Sequence, residues 1–206
     1  MTNIPEPEKE QVQSRMKEIR VSQGEIKKKI QKLRKEAAAG PDGIKPRLLQ
    51  QLQDSILLPL EMLFNRSLET GEIPQEWRTA KVTPIFKKGA KGDPGNYRPV
   101  SLTSVPCKIL ESIVKDRIME HLMENKLIQE SQHGFMPDRS CASSLVEFMD
   151  KVTKAVDEGK SVDIFYLDFA KAFDKVPRQR LVKKLNAKGV HGKAVRWIEN
   201  WLSERT

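Results

Sequence analysis

One run of residues has both the types and the spacing for chemistry on a metal-bound triphosphate. From Val162 the chain reads Val-Asp-Ile-Phe-Tyr-Leu up to Asp168, and Ala172 and Phe173 follow four and five residues later. β-Branched and aromatic residues favour a strand, and a buried strand ending on an acid delivers one carboxylate at its tip. A turn beyond it sets the Phe173 ring towards the same space. Carboxylates around paired cations are what two-metal phosphoryl transfer needs. Both residues also have plainer readings. An Asp at a strand end is commonly the N-cap of the next helix, and Phe173 fits an ordinary core; the Asp-to-Phe spacing favours chemistry. Asp174 is read as a cap or an ion-pair partner.

A second group is basic. Lys87-Lys88-Gly89-Ala90-Lys91-Gly92-Asp93-Pro94-Gly95-Asn96-Tyr97-Arg98 has the glycines and proline of a hairpin tip and little acid to neutralise its cations. A mobile hairpin of this kind suits a clamp on phosphates. Taken alone, it reads first as a solvated loop.

The elements that must position these groups are mostly helical. Val12, Met16 and Ile19 have the spacing of an amphipathic helix in an otherwise polar start that contains Pro5 and Pro7. Ser22-Gln23-Gly24-Glu25 has the form of a capping box, and Ile26, Ile30, Leu33 and Ala37 continue one helical face until Gly40-Pro41 closes it. Lys27, Lys28, Lys29, Lys32, Arg34 and Lys35 clothe the rest as a solvated face, with nucleic-acid contact the second reading. A helix carrying Leu48 to Leu68 follows, with a break near Pro59. Ala80 to Phe86 is a short strand; Pro84 makes it an edge strand, and Val100 to Leu102 return beside it. Helices are expected over 105–127, from Ser140 or Ser143 to Val156, after Pro177 until Gly189, and through Trp197 and Trp201. Those two tryptophans read as packing residues. His121, His133 and His191 have no metal-ligand spacing and read as surface or loop residues.

The formal charge of +9 and an isoelectric point near 9.5 suit a polyanionic partner, nucleic acid before an anionic membrane surface, although by composition alone ordinary solubilising charge is the first reading. Hydrophobic residues make up 38% of the chain, enough for a core. Cys107 and Cys141 are too few for a disulfide framework or a Cys-based zinc site. A reducing intracellular setting, nucleus or cytoplasm, is expected. No segment has the roughly 20 apolar residues of a membrane span.

Six blocks in order are similar to the reverse transcriptases of LINE-type (non-LTR) retrotransposons, in the manner of the jockey and chicken-repeat group. They are Gly40-Pro41-Asp42-Gly43-Ile44; Pro74-Gln75-Glu76-Trp77-Arg78; Val82 to Gly89; Asn96-Tyr97-Arg98-Pro99-Val100-Ser101-Leu102; Gln132-His133-Gly134-Phe135 with Arg139-Ser140; and Tyr166-Leu167-Asp168-Phe169 with Ala172-Phe173-Asp174. The resemblance runs from about Ser22 to the last residue. It implies an α+β, partial right-hand polymerase fold: a flexible extension over 1–21, mainly helical fingers with an antiparallel hairpin over 22–158, and an incomplete palm over 159–206.

By the same resemblance, Asp168 is the metal-binding catalytic acid, and the Phe169 backbone touches the same metal or phosphates. Phe173 is the steric gate set against the sugar. Arg98, with Lys87 or Lys88, grips the incoming triphosphate. Lys91, Gln132, Gly134, Phe135 and Arg139 lie along the nucleic-acid path. The implied cofactor is Mg²⁺, and the implied partners are an RNA template, a DNA primer and deoxynucleotide triphosphates. Two departures stand in the loop: Met136 replaces a basic residue, and Asp138 stands near a usual Gly. The family's Pro-Gln-Gly block, paired-acid motif, thumb and endonuclease do not occur up to Thr206. The isolated chain is therefore expected to be inactive as a polymerase. The alternatives are a non-catalytic nucleic-acid-binding fragment and an inert retroelement relic.

Overall fold

A computed structural model of the chain describes residue 12, residues 14–169, residue 172 and residues 175–203. They form eight α-helices, a single 3-10 turn at Pro94–Asn96 and one two-stranded antiparallel sheet. In chain order these are α1 (Gln23–Gln31), α2 (Pro46–Gln51), α3 (Gln53–Thr70), α4 (Gln75–Arg78), β1 (Lys81–Phe86), β2 (Tyr97–Leu102), α5 (Val105–Glu124), α6 (Cys141–Asp157), α7 (Arg178–Ala187) and α8 (Gly192–Leu202). No helix among the described residues is long and apolar enough to cross a membrane. The chain divides into two compact units. One joins the residues up to His121 with those from Arg178 onward; the other is Leu122–Pro177.

The first unit holds the core. Ser22 caps α1 as its sequence demands: its hydroxyl accepts from the Glu25 amide, and the Glu25 carboxylate accepts from the Ser22 amide at 3.1 Å. Ile26 and Ile30 of α1 are buried with Leu49 of α2, Leu57, Leu60, Phe64 and Leu68 of α3, Ile109, Leu110 and Ile113 of α5, and Trp197, Ile198 and Trp201 of α8. Each such side chain contributes on the order of 1.5–3 kcal/mol. Trp77 of α4 meets the Phe64 ring edge-on, centroids 5.9 Å apart.

The helices depart from expectation in three places. α1 stops at Gln31 rather than running to Gly40, because Gln50 donates to the carbonyls of Ile30 and Leu33 and caps its end from another helix. The long leucine helix breaks at Leu52, and Pro59 lies inside α3. An internal proline costs about 3 kcal/mol, but it faces solvent while Leu57 and Leu60 on either side of it are buried and hold the helix through it. The described residues from 14 to 21 form no helix. Met16 donates its amide to Gly189, and Met16 and Ile19 pack on a small cluster of Val190, Ala194 and Val195.

Two glycines are needed where backbones meet. A Cβ on Gly40 would lie 2.5 Å from the Thr103 carbonyl carbon and oxygen, so the Gly-Pro-Asp-Gly turn is pressed against the chain where β2 leads into α5. A Cβ on Gly189 would lie 2.7 Å from the Ser14 oxygen and 2.9 Å from His121 Nε2. His121, expected at the surface, is buried, with Nε2 2.8 Å from the Lys188 carbonyl oxygen.

α8 closes the unit by capping α3. At the end of that helix Gly71 is left-handed, φ +77°. Trp197 donates its indole N–H to Ser67 at 2.9 Å, Arg196 donates to the Glu69 carbonyl at 2.7 Å, and Asn200 donates to the Gly71 carbonyl at 2.8 Å. The stacked rings of Trp197 and Trp201, 5.6 Å apart, act as packing, as their spacing indicated.

The second unit is thin. None of its described residues is buried. α6 is capped reciprocally by Ser140 and Ser143, but Leu145, Val146, Met149 and Val156 along it are exposed. The expected buried strand ending on Asp168 is not formed. Residues 161–169 are exposed, and they make no backbone hydrogen bond among the described residues. A strand needs a partner ladder, and no described segment supplies one.

Candidate nucleic-acid interface and catalytic acid

The basic hairpin is a rigid presentation of cations. Its register pairs Phe86 with Tyr97, Ile85 with Arg98 and Pro84 with Pro99. Two prolines can face each other only at a non-hydrogen-bonded pair, since neither has an N–H. The Lys87 amide bonding the Asn96 carbonyl at 2.8 Å gives the same parity. Phe86 and Tyr97 then form the close type of pair, and their rings meet at 5.5 Å. Arg98 shares the opposite face with Ile85 and Val100.

The tip is cross-tied by its own side chains. Asp93 accepts from the Gly95 amide at 2.8 Å. Asn96 donates its side chain to the Ala90 carbonyl at 3.0 Å, and the Tyr97 hydroxyl donates to the Lys91 carbonyl at 2.8 Å. Gly89, at φ +92°, lies so close to the Asn96 amide group that a Cβ would be 2.7 Å from it. Lys91 sits 6.0 Å from the centre of the Phe86 ring. Lys81, Lys87, Lys88, Lys91 and Arg98 are all exposed, with Asp93 the only acid between Lys81 and Leu102. None of the five is in an ion pair among the described residues, so their charge is available to a polyanion.

In the second unit, four predicted nucleic-acid residues share one loop. Arg139 donates to the Glu130 carbonyl and, at 3.2 Å, to the Gln132 carbonyl; Gln132 donates to the Gly134 carbonyl at 3.0 Å. These polar groups therefore shape the loop from within. The Phe135 ring is what the loop presents: it is 85% exposed, on a left-handed backbone with φ +62°. A bulky residue held there costs about 1–3 kcal/mol, a pattern that gathers at functional sites.

His133 anchors this loop to α6, a role its sequence position did not signal. Its ring is 3.0 Å from Ser143 Oγ through Nδ1 and 2.7 Å from Glu147 Oε2 through Nε2. Glu147 also pairs with Lys151, one turn on. The hydrogen bond from Lys151, and after it that from His133, hold the Glu147 carboxyl down at about 2. The four-residue Glu-Lys spacing was the visible half of this arrangement.

Asp168 and Phe169, also in the second unit, are exposed. Phe173 and Asp174 lie outside the described residues. Among the described residues no group of three His, Cys, Asp or Glu side chains could hold a metal ion. Asp163, five residues before Asp168, falls on the other side of an extended chain. The described residues alone thus do not fit a two-ion centre; they offer one carboxylate towards it.

A reverse transcriptase (RNA-dependent DNA polymerase) family profile matches residues 85–206. The chain is 27% identical over 171 residues to a probable RNA-directed DNA polymerase from transposon BS of Drosophila melanogaster, covering 82% of this chain and 19% of that protein. It is 30% identical over 161 residues to the RNA-directed DNA polymerase from mobile element jockey of Drosophila funebris, 78% of this chain and 18% of the relative. A probable RNA-directed DNA polymerase from transposon X-element of Drosophila melanogaster is 26% identical over 140 residues, 68% and 15% of the two chains. The chain thus spans under a fifth of the length of these relatives. The mainly helical scaffold, the antiparallel hairpin and the matched stretch agree: this chain belongs to the reverse transcriptase family, within the non-LTR retrotransposon group.

Proposed function

We propose that this chain is the fingers, residues 22–158, and the first part of the palm, residues 159–206, of an RNA-directed DNA polymerase. The observation that carries the reading is the span of the family match, which takes in both the basic return strand with Arg98 and the segment with Asp168. Arg98, Lys87 and Lys88 bind the phosphates of the incoming deoxynucleotide. Lys91 and the loop of Gln132, Gly134, Phe135 and Arg139 contact an RNA template and DNA primer, with the Phe135 ring offered for stacking. Asp168 would hold Mg²⁺ through its one carboxylate, the Phe169 backbone would contact the same metal or the phosphates, and Phe173 would exclude the 2′-hydroxyl. Mg²⁺, when bound, stabilises charge on the reacting oxygens; the chain's own contribution is placement and phosphate binding.

One carboxylate does not hold two ions, so residues 1–206 by themselves are expected to incorporate no nucleotide. In a polymerase carrying this chain within a complete palm, Asp168→Ala should lower single-turnover incorporation by at least about 10²–10³-fold while template-primer affinity stays within a factor of about two. Phe173→Ala should keep activity and admit ribonucleotides. Equal losses of affinity and rate in Asp168→Ala would make that residue a structural cap instead.

A second reading, nucleic-acid binding without catalysis, is favoured by the unpaired cations of the rigid hairpin. Weak, sequence-tolerant binding of single-stranded RNA by the 206-residue chain is expected under either reading. A complete palm that remains inactive with Asp168 intact would select the second.

A further inference from the structure

We propose that His133 is a positioning residue for nucleic-acid binding: tied to α6 at both ring nitrogens, it holds the 132–139 loop in the form that presents the Phe135 ring. The proposal rests on the reading of this loop as a contact for template and primer. Three observations carry it. First, the ring grips two successive turns of one helix. Ser143 and Glu147 are four residues apart, so they lie on one face of α6. His133 meets Ser143 Oγ through Nδ1 at 3.0 Å and Glu147 Oε2 through Nε2 at 2.7 Å, and its side chain is only 12% exposed. Bonds at two distinct ring nitrogens fix the rotation of the imidazole as well as its place.

Second, the backbone just beyond this tie is strained. Phe135 and Asp138 are both left-handed, at φ +62° and +57°, and such residues persist only where their surroundings over-determine them. The restraints stand on the two flanks: His133 to α6 before the pair, and Arg139 to the carbonyls of Glu130 and Gln132 after it. Third, the strain builds no core. No described residue of Leu122–Pro177 is buried, and the Phe135 ring is 85% exposed. Strain held without burial in return belongs to a contact the loop makes with a ligand. An aromatic ring carried outward suits the bases of a single strand, whatever their sequence. Both nitrogens of His133 are engaged within its own chain, so it acts through the loop and not by touching phosphate.

The test is binding of a fluorescent oligouridylate to the full 206-residue chain, followed by anisotropy. Phe135→Ala should weaken binding about tenfold, the loss of one stacked base. His133→Ala should weaken it about fivefold or more. His133→Gln, which keeps a donor towards Glu147 but not the bond to Ser143, should fall between His133→Ala and wild type. The slope of log K against log salt should be the same in all of these, because no phosphate contact is lost. The double variant His133→Ala with Phe135→Ala should bind no more weakly than Phe135→Ala alone, since the histidine acts through the ring. Circular dichroism checks that the helices remain; where His133→Ala loses them, His133→Gln carries the same comparison. Phe135→Ala binding as tightly as wild type would sink the reading of the loop, and this proposal with it. A weakened Phe135→Ala beside unaffected His133 variants would sink the proposal alone. Additive losses in the double variant, or a changed salt slope in His133→Ala, would make the histidine a direct contact and overturn it as well.

Discussion

Gly40 and Glu147 show how differently single residues carry this structure. Gly40 is indispensable for lack of a side chain. Its Cβ position lies 2.5 Å from the Thr103 backbone, with no flexible side chain there to move aside. Gly40→Ala is expected to cost about 2–4 kcal/mol in urea unfolding, whereas Gly24→Ala, with open space around it, should not destabilise. Glu147 matters through charge. Its carboxyl is held at about 2 by Lys151 and then His133, against an ordinary value of 4.5. A depressed carboxyl favours the folded loop above the unfolded value, and that advantage disappears as pH falls from about 4.5 through about 2. A carboxyl-carbon NMR titration should place the Glu147 midpoint near the lower figure. Lys151→Met, removing the larger cause, should move it towards 4.5 more than His133→Gln does. A Glu147 midpoint already at the ordinary value would remove the anchoring role.

At the scale of elements, the hairpin and α1 are two basic surfaces that differ in their ion pairing. Lys27 and Lys29 of α1 are paired with Asp54 and Asp116, and Arg117 pairs with Glu25. The hairpin cations have no such partners among the described residues. Salt dependence of single-stranded RNA binding should therefore respond to the hairpin. Changing Lys87, Lys88, Lys91 and Arg98 to Ala should flatten the slope of log K against log salt by roughly 0.7 for each phosphate no longer neutralised. Changing Lys27, Lys28, Lys29 and Lys32 should alter it less. The reverse ranking would make α1 the contact surface. The rigid tip adds a further expectation. Asn96→Ala removes the bond to Ala90, and it should weaken binding although the charge is unchanged.

Across the whole molecule, stability is unevenly distributed. Large apolar side chains of α1, α3, α5 and α8 are buried together, while no described residue of Leu122–Pro177 is buried. Opening free energies follow buried contacts. Amide exchange should be slowest around Ile26, Phe64, Leu110 and Trp197. The α6 amides should exchange well before global unfolding. Uniform protection across both units would contradict this division.

The family and several helix ends were legible in the residues themselves. Ser22 with Glu25, Ser140 with Ser143 and Gly189 act over a few residues, and local hydrogen bonding decides such ends wherever the segment sits. The hairpin was legible for the same reason, since Pro84, Gly89 and Asp93 constrain only their neighbours. What needed the tertiary structure were effects carried by residues far away in sequence. Gln50 ends α1 early, buried leucines carry α3 through Pro59, and Gly189 draws His121 into the interior. Arg139 and Gln132 also donate within their own loop, a local role that their residue types did not signal. Asp168 marks the boundary between the two kinds of knowledge. Its type and spacing suit the metal-binding role proposed for it, but a strand exists only when another strand bonds to it. Whether 161–168 becomes one is decided by what lies beside it.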